Sequence, residues 1–183
     1  MNIAVISCSL HPLSRSYIMA RHIVEEIESL GSMAQLHDLR HYKIELRDVN
    51  SGRRNNQVQE LARTIQTASA VILAVPIYNF YANAAAKNLI ELTGDAWNKR
   101  VVGFICAAGG KSSYMSIMNL ANSLMLDFRC FIVPQFVYAT GDAFDNDRTE
   151  DMYLSSAEVK ERLRELAEIT TQLASAMGSV GLL

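Results

Sequence analysis

Residues 3–16 read Ile3-Ala4-Val5-Ile6-Ser7-Cys8-Ser9-Leu10-His11-Pro12-Leu13-Ser14-Arg15-Ser16. The first four are a short β-branched run, the pattern of a buried strand. The next ten are polar and rich in serine. Ala20, Ile23, Val24, Ile27 and Leu30 then recur at helical spacing. Ser14 stands where an N-cap belongs and Gly31 where a helix ends. A buried strand running through a hydroxyl-rich loop into a helix is half of a βαβ unit, and the rest of the chain repeats it.

Residues 33–37 read as a second, weaker strand, followed by a polar, irregular connection over residues 38–56. Val58, Leu61, Ala62 and Ile65 mark a second helix. Residues 70–75 are an apolar third strand that Pro76 is expected to stop. Residues 84–94 form a helix ending at glycine, and residues 101–106 a fourth strand running into Ala107-Ala108-Gly109-Gly110. Residues 115–128 read as an apolar helix. The fifth strand covers residues 130–133 and resumes over residues 135–138. A charged loop, residues 142–151, leads to a last helix with its seam at Val159, Leu163, Leu166, Thr170, Leu173 and Met177. Five strands thus alternate with five helices. Continuously apolar strands imply a parallel sheet covered on both faces. The expected fold is α/β, a flavodoxin-like three-layer sandwich with a five-stranded parallel sheet of order 2-1-3-4-5. The expected organisation is a single domain over residues 1–183.

Composition narrows the function classes. The chain has 183 residues, half of them hydrophobic, and a formal net charge of −2 from 17 basic and 19 acidic residues. Disorder is excluded, and no cationic surface for nucleic acid is expected. Cys8, Cys106 and Cys130 form no CxxC pair, which speaks against zinc and for a reducing compartment. The apolar stretch over residues 68–76 is too short to span a bilayer, which needs ~20 residues. Residues 1–6 lack the features of a secretory signal. The expectation is a cytoplasmic protein that needs no membrane.

Ligands of such sheets bind beyond the carboxyl ends of the strands, at the switch point between strands one and three. Three loops converge there. The first offers Ser9, Ser14, Arg15 and Ser16 at a helix N-terminus, where free amides and the helix dipole hold anions. The second, Pro76-Ile77-Tyr78-Asn79-Phe80-Tyr81, is an aromatic rim suited to a flat ring. The third, Gly109-Gly110-Lys111-Ser112, allows close backbone approach and adds a cation. Plain alternatives are a solvated helix cap, a core or interface cluster of aromatics, and a tight turn.

Two phosphate-loop rivals fail on counting. Gly110-Lys111-Ser112 ends like a Walker A loop, but the leading glycine would fall at Ile105, and Gly103 is two places early. A small cysteine phosphatase needs an arginine six positions after Cys8, where Ser14 stands, and no Asp-Pro dipeptide follows. Cys8 reads better as a buried residue than a nucleophile. No GxGxxG and no metal-type histidine spacing occurs, with His11, His22, His37 and His41 scattered.

Taken together, Ser9-x-x-x-x-Ser14-Arg15-Ser16, Pro76-Ile77-Tyr78-Asn79, Ala86-Lys87-Asn88-Leu89-Ile90 and Gly109-Gly110 resemble the NAD(P)H-dependent FMN reductases. That flavodoxin-like family includes two-component flavin reductases, quinone reductases and some azoreductases. The likeness runs over residues 2–140. It departs at His11, where the family often has arginine, at the alanines following Asn83, and over residues 119–124, which lack a Leu-Arg pair.

The resemblance implies FMN as cofactor and NADPH or NADH as donor, with hydride passing from the nicotinamide to flavin N5. From there it goes to a quinone-like acceptor, or the reduced flavin is released. Ser9, Ser14, Arg15 and Ser16 would hold the phosphate. Pro76, Ile77, Tyr78 and Asn79 would line the flavin, and Gly109 and Gly110 would approach its pyrimidine end. Lys111 is expected to place positive charge near N1–C2=O. No acid or base side chain is obligatory, because the flavin carries the chemistry. A homodimer or homotetramer is expected, and a monooxygenase is a candidate partner. The alternatives are a flavodoxin-type electron carrier, for which a charge of −2 is weakly acidic, the Cys8 phosphatase, and a flavin-free relic of the fold.

Overall fold

The computed structural model describes residues 1–48 and 55–181. Strand β1, Asn2–Ser7, lies between two layers, and its side chains alternate between them. Ala4 and Ile6 face one core, Ile3 and Val5 the other. Strand β3, Ala70–Tyr78, does the same with Val71, Leu73 and Val75 against Ala70, Ile72 and Ala74. Strand β5, Val101–Ala107, repeats the pattern. With both faces buried, the strands read as continuous apolar runs.

The first core is closed by α2, Asn56–Thr67, by α3, Ala84–Thr93, and by α4, Met118–Phe128, which contribute residues such as Leu61, Leu89 and Leu124. The second is closed by α1, Arg15–Ser29, and α5, Ala157–Ser179, through Met19, Ile23, Ile27, Leu163 and Leu166. Each helix is positioned by its ends. The Ser14 hydroxyl accepts from the Tyr17 amide at the start of α1. Gly31 takes φ +76° just past its end, a conformation that costs glycine little. Leu30, expected on the apolar seam, is exposed instead, because it is the C-cap beyond Ser29, where the backbone has left helical geometry.

Beside β1 lies β2, Met33–Asp38, and the sheet runs β2-β1-β3-β5-β6, all parallel. Here β6 is Phe131–Ile132, and β7, Val137–Ala139, pairs with β5 further along. This is the expected 2-1-3-4-5 order, with seven strand segments rather than five. One extra segment arises because the last strand breaks: between the two ladders β5 advances three residues while its partner advances five. Pro134 lies in that gap and has no N–H to donate. The other is β4, Tyr81–Ala82, a hairpin partner of β3.

Pro76 does not end the third strand. It pairs in register with Ala107, and its carbonyl accepts from the Asn83 amide at 3.1 Å. Only beyond it does β3 leave the parallel sheet and turn into the hairpin. The helix expected over residues 115–128 starts later, because Lys111–Ile117 is a 3-10 segment containing a non-helical Ser113. The connection over residues 38–56 opens with a 3-10 turn, Leu39–His41. Asn88 then holds it by donating to the Glu45 carbonyl and accepting from the Arg47 amide. Residues 49–54 of that expected loop lie outside the described residues.

Helix α5 packs tightly against β5 because position 103 is glycine: a Cβ there would lie 3.3 Å from Leu166 and 3.4 Å from the Thr170 hydroxyl. Leu166 is fully buried. Leu166→Ala is therefore expected to cost about 2–5 kcal/mol, read as a lower urea midpoint with an unchanged m-value.

Candidate functional site

Strands β1, β3 and β5 are neighbours and parallel, so their carboxyl ends share one edge. The loops that leave them enclose a cavity of about 560 Å³. Ser9, Ser14, Arg15 and Ser16 line it from the first loop, Pro76, Ile77, Tyr78 and Asn79 from the second, and Gly109 and Gly110 from the third.

The first loop is held in shape by its own polar groups. The Ser9 hydroxyl accepts from the His11 amide at 3.2 Å, and His11 Nδ1 accepts from the Leu13 amide at 3.0 Å. The Ser14 and Ser16 hydroxyls are 3.1 Å apart and hydrogen-bonded. Asn83 Nδ2 donates to the Cys8 carbonyl at 2.6 Å, tying this loop to the residue that precedes α3. The first amides of α1 have no helical acceptor, so they face the cavity end as donors for an anion.

Arg15 reaches across the site. Its Nε and Nη2 donate to the two carboxylate oxygens of Asp147 at 2.7 and 2.5 Å, and its Nη1 donates to the Ala108 carbonyl at 3.0 Å. One guanidinium thus joins α1, the end of β5 and the loop over residues 142–151. The approach is so close that a Cβ at position 141 would lie 2.5 Å from Nη2, so a larger residue there would have to displace the guanidinium. The hydrogen bond to Arg15 holds the Asp147 carboxyl below the usual carboxylate range, and the same bond raises the guanidinium.

The second loop is a two-residue hairpin in which Tyr78 pairs with Tyr81. Asn79 and Phe80 take φ of +50° and +63°, as this tight turn requires. Asparagine tolerates this; phenylalanine seldom adopts it, so the hairpin tip is strained beside the cavity. The strain leaves Phe80 61% exposed on the cavity wall, with Tyr78 and Tyr81 also uncovered.

In the third loop, Gly109 and Gly110 have ordinary negative-φ or extended backbone, and a Cβ on either would meet no protein atom within 4 Å. Neither conformation nor protein packing demands glycine there. Both line the cavity. The Tyr138 hydroxyl donates to the Gly110 carbonyl and is 2.6 Å from the Ser113 hydroxyl, which fixes the turn. Lys111 departs from expectation. It is 84% exposed on its side chain, lies 3.5 Å from Asp142, and lines a different cavity of about 390 Å³. The 3-10 segment beginning at Lys111 and the pull of Asp142 take the ammonium out of the main cavity.

Sequence reading missed the lining contributions of Ser113 and, above all, Arg148. Arg148 sits in a charged loop far along the chain, and nothing in its local pattern signals that the loop folds back over α1. Cys8 is fully buried, and burial together with Asp38 pushes its thiol upward. That is the reverse of what a nucleophile requires.

Residues 1–145 match the family described as NADPH-dependent FMN reductase. The chain belongs to that family. Its members are NADPH-dependent oxidoreductases acting with flavin, of the fold class seen here. A relative from Geobacillus thermodenitrificans, named NAD(P)H-dependent FAD/FMN reductase, is 31% identical over 155 residues, 82% of this chain and 77% of the relative. RosB with bound 8-demethyl-8-formylriboflavin-5′-phosphate superimposes with a TM-score of 0.80 at 16% identity, covering 98% of this chain and 81% of RosB. The flavoenzyme NAD(P)H:(acceptor) oxidoreductase FerB from Paracoccus denitrificans gives a TM-score of 0.76 at 16% identity, covering 96% of this chain and 97% of FerB. These two structural likenesses carry the fold.

Because the folded carboxyl of Asp147 is depressed, the stability it contributes is whole above its unfolded pKa of about 3.9 and is lost as pH falls through the folded value. Asp147→Asn is expected to lower stability at pH 7 by about 1–2 kcal/mol. It should also flatten the acid limb of Tm below about pH 4. Scanning fluorimetry across pH checks this, and parallel acid limbs in both proteins would refute it.

Proposed function

We propose that the main cavity holds FMN and that the protein reduces it with NADPH or NADH. The carrying observation is that the three loops leaving β1, β3 and β5 bring the buried serines, the Pro76–Asn79 turn and the Gly109–Gly110 pair, on which a Cβ would meet no protein atom, around one cavity. The residues fit the group in three further respects. A volume of about 560 Å³ lies within the roughly 300–1,000 Å³ range of small-ligand sites. One end is an anion-seeking helix N-terminus with buried serines. The other has a Pro76–Ile77 wall and an exposed aromatic edge.

In this reading Ser9, Ser14 and Ser16 hold the phosphate end, with Arg15 shaping that end from behind. Pro76, Ile77, Tyr78 and Asn79 line the ring, and the Gly109 and Gly110 backbone meets its polar edge. FMN, when bound, supplies the redox chemistry, taking two electrons from the nicotinamide and delivering them to an acceptor. The chain's own work is to bind and orient. The rigid hairpin and the Tyr138-braced turn hold the two walls of the cavity, a proximity effect. Lys111 stands outside this lining, 3.5 Å from Asp142 and beside the second cavity.

The same reading takes the chain as one flavin-binding domain working in the cytoplasm, with a quinone-like acceptor or a monooxygenase that accepts reduced flavin. Among the described residues no helix is long and apolar enough to cross a membrane. Phe80 and Tyr81 on the hairpin and Met115 and Met118 beside the third loop are all exposed. Such an apolar patch supports a homodimer or homotetramer. Light scattering at micromolar concentration is expected to give a multiple of 20.3 kDa, and a monomer would remove the oligomer from the proposal.

A visible spectrum with added FMN tests the central claim. We expect a perturbed flavin band that bleaches anaerobically with NADPH or NADH. Perturbation without bleaching would favour an electron carrier, and no perturbation would reject the flavin reading.

A further inference from the structure

A phosphate monoester at this helix N-terminus gains from a cation as well as from amides and hydroxyls, and the basic side chains expected for that task are already engaged. Three of the five N–H groups of Arg15 already donate, two to Asp147 and one to the Ala108 carbonyl. Its charge is matched by the carboxylate it grips. His11 accepts from the Leu13 amide within its own loop and does not line the cavity. Lys111 is paired with Asp142.

Arg148 differs from each of these. It lines the cavity together with Ser9, Ser14 and Ser16. Its Nη1 donates to the Leu13 carbonyl at 2.9 Å, which anchors the guanidinium over the turn just before the N-cap of α1. Among the described residues it forms no ion pair, and its other guanidinium N–H groups have no protein acceptor. Asp147, its chain neighbour, is the acid it feels, and that acid is engaged by Arg15. Two arginines therefore share one carboxylate, leaving one positive charge at the polar end of the cavity.

The loop is built to deliver Arg148 there. Asn146 and Arg148 both take left-handed backbone, with φ of +50° and +63°. Such non-glycine conformations persist only where the surroundings impose them. The surroundings here are the Arg15–Asp147 pair, the Thr149 amide donating to the Asn146 carbonyl at 3.1 Å, and the Arg148 amide donating to the Met152 sulfur at 3.4 Å.

We propose that Arg148 binds the phosphate of the flavin and makes the site selective for phosphorylated flavin, with the Arg15–Asp147 pair as the strut that positions it. This rests on the flavin reading above. A planar guanidinium meets a phosphate through two parallel N–H donors, and the adjacent helix N-terminus adds to the same field.

Flavin fluorescence titrations with FMN and with riboflavin, which lacks the phosphate, test the proposal on the purified protein. Arg148→Gln is expected to weaken FMN binding roughly tenfold or more, to leave riboflavin binding unchanged, and to reduce the salt dependence of FMN binding. Arg148→Lys should restore part of the FMN preference, because it restores charge without the fork. Equal weakening of FMN and riboflavin would mean a structural role and overturn the proposal. So would unchanged FMN binding with only the NADPH KM raised, which would assign Arg148 to the donor's phosphate. If the wild-type protein binds neither flavin, the flavin reading fails at that first step and this proposal fails with it; a wild-type protein that binds FMN keeps the two failures distinct.

Discussion

Burial of a parallel sheet on both faces is the constraint on which the molecule depends. Each central strand alternates its side chains between two cores, so neither face has room for a polar site. Polar chemistry can collect only where the strands stop. The carboxyl ends of β1, β3 and β5 stop side by side, because the first crossover sets β2 on one side of β1 and the second sets β3 on the other. The cavity lies where those two crossovers diverge. Its lining then follows from which residues come directly after each strand.

Within that edge a single guanidinium does most of the joining. Arg15 ties the first turn of α1 to the end of β5 and to the loop over residues 142–151. Glycine at position 141 leaves the guanidinium undisturbed, whereas a Cβ there would push it aside. A charged pair so placed is a structural element before it is a ligand-binding one. It moves the binding role to whatever cation the late loop presents. The site thus combines a helix N-terminus, a strained hairpin and a braced glycine turn with a segment far along the chain.

The fold was legible because its signals are local. Apolar runs, the Ser14 cap, the glycines at positions 31 and 94, and the helical seams all act within a few residues of themselves. Two local signals misled. Pro76 looked like a stop, but a proline at the last rung of a ladder removes only a donor the sheet no longer needs there. Residues 115–117 looked ready to open a helix, yet the Tyr138 hydroxyl holds the turn ahead of them and the segment from Lys111 to Ile117 takes 3-10 geometry. The site was legible where its residues lie at or just beyond the carboxyl end of a strand's parallel ladder, as Ser9, Pro76 and Gly109 do. It was illegible where one charge chose between two partners.

What the sequence by itself determined is the layering, the strand order and the edge where a ligand belongs. These depend on hydrophobic periodicity and on crossover handedness, and both are read from neighbouring residues. What only the tertiary structure decided is which charges face the cavity. Arg15 was taken by Asp147, Lys111 was drawn off by Asp142, and Arg148 was left at the rim. Coulomb attraction acts through space between residues far apart in the chain, 132 positions for Arg15 and Asp147, and local periodicity carries no record of which carboxylate the fold will bring alongside which cation.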